Sequence, residues 1–259
     1  MATSTLPRIA LAIAALFGCL AVRSDTQPHI PSRMAALPRL TLWAWERRED
    51  LRSLDPRKFA IAYLDRTLTI GTTVQSQPRR DPVAFSASTT RMPVIRIETA
   101  PMAVLNDENQ SEAVQAILAA AHESGVAALQ IDFDATLSQR PFYRSLLVDL
   151  RRQMPPELPL SITALASWCS WDDWLSGLPV DEAVPMFFRM EPDRRRAPAN
   201  LDDFKIREPL CQSSFGLSTT EPWPSDLALA GKRIYVFPEH GWNIDSPTAV
   251  EGRLEWRFP

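Results

Sequence analysis

The stretch ALQIDFDA, Ala128–Ala135, decides how this chain is read. Leu129, Ile131 and Phe133 alternate with Gln130, Asp132 and Asp134. Successive side chains of a strand point to opposite faces, so one face is apolar and the other ends in two carboxylates. Parallel strands buried on both faces usually read as continuous apolar runs. A strand that keeps its polar residues on one face implies a sheet whose two sides differ. A closed barrel has such sides, one under the outer helices and one enclosed.

The flanking sequence repeats the pattern of strand, loop and helix. RLTLWAWE (residues 39–46) is rich in aromatic and branched residues and predicts a first strand. EDLRSLDP predicts a short helix ended by Pro56, and FAIAYL (59–64) a second strand. Residues 66–90 are less regular, with RTLTI and PVAFSAS as arms of an excursion hairpin. PVIRIE (93–98) predicts a third strand, and SEAVQAILAAAHESG (111–125) a helix with Ser111 as N-cap and Gly125 at its C-terminal end. VAALQIDF is the fourth strand, followed by a helix over RPFYRSLLVDLRRQM that Pro155-Pro156 stops. LPLSITAL (158–165), EAVPMFFRM (182–190), SSFGLST (213–219) and RIYVFPE (233–239) predict four more strands, with a short helix starting at Ser170. Eight strands alternating with helix-sized connections predict a (β/α)8 TIM-type barrel, an α/β fold, as a single domain over residues 39–259. An open doubly wound sheet is the competing arrangement. No glycine-rich turn follows the first strand, which counts against its nucleotide-binding versions. The sequence stops at Pro259 soon after the eighth strand, which leaves a closing helix or a further domain to be accounted for.

The amino terminus differs in kind. Residues 9–22, IALAIAALFGCLAV, form an apolar run that suits the h-region of a signal peptide over residues 1–22. Two processing outcomes stay open. LFGC resembles a bacterial lipoprotein box with Cys19 as the lipidated residue, whereas cleavage after Ala21 would release a soluble protein. Residues 23–38 are polar and proline-bearing and predict a linker. The chain is thus expected to be exported to the cell envelope or periplasm, meeting a membrane only through a lipid anchor. Cys169 and Cys211 either pair or stay as separate buried thiols.

In a barrel the acidic members of the enclosed face fall at the carboxyl ends of their strands, where such folds build active sites. Asp132, Glu98 and Asp134 are therefore the candidate catalytic carboxylates. Asp132 and Glu98 would form the pair, with Asp134 tuning Asp132. Arg96 and Gln130 share that face; an ion network of Arg96 with Asp132 or Glu98, without chemistry, is the alternative. Trp45, Trp168 and Trp242 fall at or just past strand ends, where an indole can pack on the apolar face of a sugar ring. Glu221 and Glu239 supply further carboxylates from the last strands. The expected ligand is a saccharide, and carboxylate acid–base chemistry on it needs no cofactor.

Other chemistries find little support. A formal charge of -3 gives no reason to expect a nucleic-acid partner. HExxH, GxSxG and P-loop patterns are absent, and the three histidines, His29, His122 and His240, are too scattered for a metal cluster.

LTLWAWERREDLRSLDP, ALQIDFDATLSQRPFYRSLLVDLR, PLSITALASWCSWDDWL and DEAVPMFFRM together resemble a bacterial family known as domain of unknown function 3142, across about residues 40–240. That family label carries no established activity. The acidic strand end also resembles that of barrel glycoside hydrolases with the pattern DxxDxDxE. Asp132 and Asp134 match its spaced aspartates, and Thr136 stands where its glutamate would be. The resemblance implies a glycoside-hydrolase-like barrel that either hydrolyses a saccharide or binds one without turnover, as an envelope scaffold would.

Overall fold

A computed structural model describes residue 1 and residues 32–190, 203–224, 229–243 and 245–255. Apart from Met1, the expected signal segment, Cys19 and the early part of the expected linker lie outside those residues.

Eight parallel strands close into a barrel. Beginning with β1 (Leu40–Ala44), the sheet runs through β3 (Phe59–Ile70), β6 (Thr90–Thr99), β7 (Leu129–Asp132), β8 (Leu160–Leu165), β9 (Glu182–Met186), β10 (Ser214–Ser218) and β11 (Arg233–Phe237), which pairs back with β1. Among the described residues two crossovers carry full helices, α1 (Asp107–Ala121) and α2 (Arg140–Gln153). Their apolar stripes, Val114, Ile117 and Leu118 on α1 and Phe142, Leu146 and Leu150 on α2, cover the outward residues Ile95, Ile97, Leu129, Ile131 and Ile162.

The predicted alternation holds, and register explains the layering inside. Gln130 sits beside Ser161, and Ser161 beside Glu182. The Trp43 indole donates to Gln130 (2.8 Å), the Gln130 amide donates to Ser161 (3.0 Å), and Ser161 and Tyr235 both donate to Glu182. Burial raises the Glu182 pKa, opposed by the Arg233 charge and by the Tyr235 and Ser161 hydrogen bonds. Arg233, 1% exposed, reaches down to the carbonyls of Met34, Leu37 and Pro38. Residues 32–38, read from sequence as linker, therefore stop the lower end of the barrel, with Met34 and Leu37 packed among its interior residues.

Several local readings are corrected. EDLRSLDP is not a helix: β2 (Glu49–Asp50) pairs in parallel with β5 (Val83–Ala84). The excursion hairpin pairs RTLTI not with PVAFSAS but with β4 (Val74–Pro78). The N-cap of helix α1 lies five residues before Ser111, because Asn106 accepts from the Asn109 amide (2.9 Å) and Asp107 and Glu108 suit a helix N-terminus. The short helix α3 (Ala166–Ser170) ends at Ser170 instead of starting there. Helix α4 (Pro247–Glu255) follows the eighth barrel strand.

Cys169 of α3 and Cys211 are joined in a disulfide, Cα to Cα 5.9 Å, across 42 residues. It ties the loop after β8 to the segment that leads into β10. A loop of that size predicts a loss of about 2–4 kcal/mol when Cys169→Ala and Cys211→Ala are combined. The check is a non-reducing denaturant titration, in which the double variant unfolds at lower denaturant and reductant shifts only the wild-type chain.

Candidate active site at the barrel mouth

The carboxyl ends of the strands open into a cavity of about 600 Å³. Its floor is a row of rings: Trp45 against Trp43 (centroids 4.2 Å), Trp43 stacked on Phe237 (5.1 Å), and Phe237 against Phe188 (4.8 Å). Trp45, Phe188 and Phe237 line the cavity itself, with Met186 and Met190 beside them.

Asp132 ends β7 at the wall of this cavity and is 3% exposed. Both of its oxygens accept: one from Thr163 of β8 (2.7 Å), the other from Arg96 of β6 (2.7 Å). Arg96 also donates to Glu98 (2.9 Å) and lies over the Trp45 ring at 5.8 Å. The Arg96 pKa is raised: burial alone would lower it, and the charges and hydrogen bonds of Asp132 and Glu98 outweigh that. Glu98 does stand beside Asp132 through this shared guanidinium, yet its side chain is half exposed above the rim and is not among the cavity's lining residues.

Asp134 faces the cavity two residues beyond Asp132 and, among the described residues, accepts no hydrogen bond. Desolvation there, reinforced by the negative Asp132, raises its pKa, and Arg96 opposes the shift. Glu46, just past β1, behaves in the opposite way. One of its oxygens accepts the backbone amides of Arg80 and Asp81, and these bonds lower its pKa against the effect of burial. On the β11 side Glu239 holds Arg189 through both oxygens (3.0 and 2.9 Å), and Glu221 accepts from the Arg189 amide (3.0 Å). Arg189 has φ 51, in the left-handed region that a side chain disfavours. The two glutamates hold it there.

Asp132, Asp134, Arg96, Trp45 and Glu239 therefore meet in one cavity, as their places at strand ends predict. Besides Glu98, four residues assigned to the site from sequence do not line it. Gln130 is wholly buried below the mouth and spends both amide atoms on Trp43 and Ser161. Trp168 packs edge-on against Trp174 (4.8 Å) in the outer core, because α3 carries it away from the mouth. Trp242 is 5% exposed and donates to the Trp43 carbonyl (2.9 Å) from outside the barrel. Glu221 positions the Arg189 loop and does not line the cavity. Glu46, Phe188, Arg189 and Phe237 were missed. Glu46 and Phe237 sit at strand ends like Trp45, so the same reasoning reaches them; nothing local marks Arg189. Among the described residues no group of three or more His, Cys, Asp or Glu side chains is disposed to hold a metal.

Fold and mouth together define a single-domain parallel (β/α)8 barrel with an aromatic and carboxylate-lined opening. Residues 88–186, from just before β6 to the end of β9, match the family described as Domain of unknown function (DUF3142). No protein of curated function matches the chain. Among solved structures, the chitinase domain of the spore coat protein CotE from Clostridium difficile is similar at 12% identity and a TM-score of 0.46, over 80% of this chain and 67% of that one.

Two predictions follow from the charges. Asp134 keeps its proton to higher pH when folded than its ordinary 3.8 allows, so stability falls as pH rises from 3.8 through the raised value. Asp134→Asn removes that slope: denaturant midpoints of variant and wild type should agree below pH 3.8 and diverge in the variant's favour at neutral pH. A difference independent of pH would refute this. Arg96→Met strands a buried Asp132, at a cost up to the roughly 3–5 kcal/mol of a broken buried pair. Adding Asp132→Asn to that variant should recover part of the loss.

Proposed function

We propose that the protein is an exported, glycoside-hydrolase-like barrel that cleaves a saccharide bound in its mouth cavity. The observation that carries this reading is that one cavity holds a carboxyl met by two backbone amides, Glu46, and one with no donor among the described residues, Asp134, which moves their pKa values down and up respectively. Carboxyls whose surroundings push their pKa values apart are suited to divide acid and base roles. Asp134, beside the Asp132 charge and with no donor among the described residues, is the group fitted to hand a proton to a glycosidic oxygen. Glu46, kept charged by two backbone N–H groups, is fitted to act as base or nucleophile from the β1 side. Asp132 serves as a positioning residue: its charge, fixed by Arg96 and Thr163, favours the proton on Asp134. This revises the expected pair, because Glu98 is engaged by Arg96 above the rim. The row Trp45–Phe237–Phe188 offers apolar faces to pyranose rings, and the chemistry calls for no cofactor. Export is supported by the apolar run at residues 9–22 and by the disulfide, which suits an oxidising compartment.

Thr136, where a chitinase-like pattern has glutamate, favours a second reading in which the same cavity binds a saccharide without turnover. A glycan array combined with a hydrolysis screen separates the two. Enzyme action predicts turnover in the wild-type chain that falls about 100-fold or more in Asp134→Asn, with the wild-type rate declining as pH rises through the Asp134 pKa. Binding by both forms with turnover by neither establishes the second reading.

A further inference from the structure

The mouth does not end at the barrel rim. Strands β3 and β6 run past it, and β4 pairs antiparallel with the projecting half of β3. A bulge falls between Leu64 and Arg66 of β3. Before it, Ala62 pairs with Met92 on the enclosed face. Beyond it the extra residue reverses the alternation, so Leu68 and Ile70 turn out onto α1 with Ile95 and Ile97. Thr67 and Thr69 consequently share the face of Arg96 and Glu98, their register partners. On the other side of β3, Thr67 pairs with Gln77 and Thr69 with Gln75, and directly paired residues share a face.

Two polar rungs result. The lower one runs from Asp132 through Arg96 and Thr67 to Gln77, and the upper from Glu98 through Thr69 to Gln75. Three inter-strand spacings make the lower rung about 15 Å long. A second cavity, of about 300 Å³, adjoins the far end, lined by Thr69, Gln75, Ala100 and Met102 among others. Thr69 is half-buried, and Gln75 and Gln77 are exposed.

Resting on the saccharide reading above, we infer that this ribbon is a chain-binding extension of the mouth, so that the substrate is a polymer of several sugar units and not a small glycoside. Its outer members, Thr67, Thr69, Gln75 and Gln77, are neutral and carry both donors and acceptors. That chemistry matches the hydroxyls of an uncharged glycan. It is also continuous, through Arg96, with the Asp132 wall of the cavity. A sugar whose reacting bond lies at Asp134 would therefore have its neighbouring units along the rungs.

The test compares short and long ligands on the full chain, by calorimetry with cellobiose against cellohexaose and chitobiose against chitohexaose. Two or three added hydrogen bonds predict that wild type binds the hexamer of one pair about tenfold or more tighter than its dimer. Thr69→Val combined with Gln75→Ala should abolish that gain and leave dimer affinity unchanged, with an unaltered melting temperature showing that the fold is intact. Equal affinity of wild type for dimer and hexamer, or a variant that keeps the gain, overturns the extension and leaves the mouth site standing. A wild-type chain that binds neither length of either sugar overturns the saccharide reading itself.

Discussion

A carboxylate that is almost wholly buried at the top of a barrel strand must be met by donors on every side, and Asp132 sets that constraint here. The donors come from the two neighbouring strands, Arg96 on β6 and Thr163 on β8. Sliding either strand by one residue would point an aliphatic side chain at the carboxylate instead, since Ile95 and Ile97 flank Arg96, and Ile162 and Ala164 flank Thr163. Three strands are thereby held in one register at the height where the cavity begins. The same register brings Asp134 to the wall and Glu98 above it.

Below that level a chain of hydrogen-bonded polar side chains runs among apolar ones such as Met92, Val94 and Val184. Trp43, Gln130, Ser161, Glu182 and Tyr235 form a connected network, and Arg233 joins its lower end to the carbonyls of residues 34–38. A buried polar group without a partner costs about 1–3 kcal/mol, so a network of this kind specifies its geometry even where its net contribution to stability is small. It also explains why alternation alone does not identify the site. Gln130 and Asp132 share a face, but one is sealed beneath Trp43 while the other reaches the cavity. Height along the strand separates fabric from function.

Much of this was legible in the sequence. Period-two alternation and the spacing of eight strand-like segments give the barrel. Counting forward to strand ends reaches Trp45, Asp132, Asp134 and Glu239. What stayed hidden depends on contacts distant in sequence. Trp168 and Trp242 follow strand ends just as Trp45 does, yet a five-residue helix and the turn around Gly241 (φ 89) carry them to the outer core. Arg189 could not be chosen from its neighbours, because Glu221 and Glu239, 32 and 50 residues away, fix its backbone and its guanidinium. The contrast between the Glu46 and Asp134 carboxyls was equally out of reach. Glu46 is charged by amides from a loop 34 and 35 residues distant, and Asp134 is crowded by a partner visible only as a sequence neighbour.

The bulge in β3 shows how a local irregularity couples fold to site. A regular strand through FAIAYLDRTLTI would put every even-numbered side chain on one face, so Leu68 and Ile70 would follow Ala62 into the mouth. Thr67 and Thr69 would then lie against the apolar side of α1. Burying two large aliphatic side chains contributes roughly 1.5–3 kcal/mol each, and leaving two hydroxyls against a helix without partners would cost more. Inserting one residue at Asp65 avoids both penalties. The carboxylate of Asp65 accepts from Arg66 (2.7 Å) and its carbonyl from the amide of Arg79 (2.7 Å), so the displaced backbone is itself satisfied. Core packing under α1 and the polar face beside Arg96 are thus two consequences of one shift in register. A sequence change that restored regular alternation would have to lose both together.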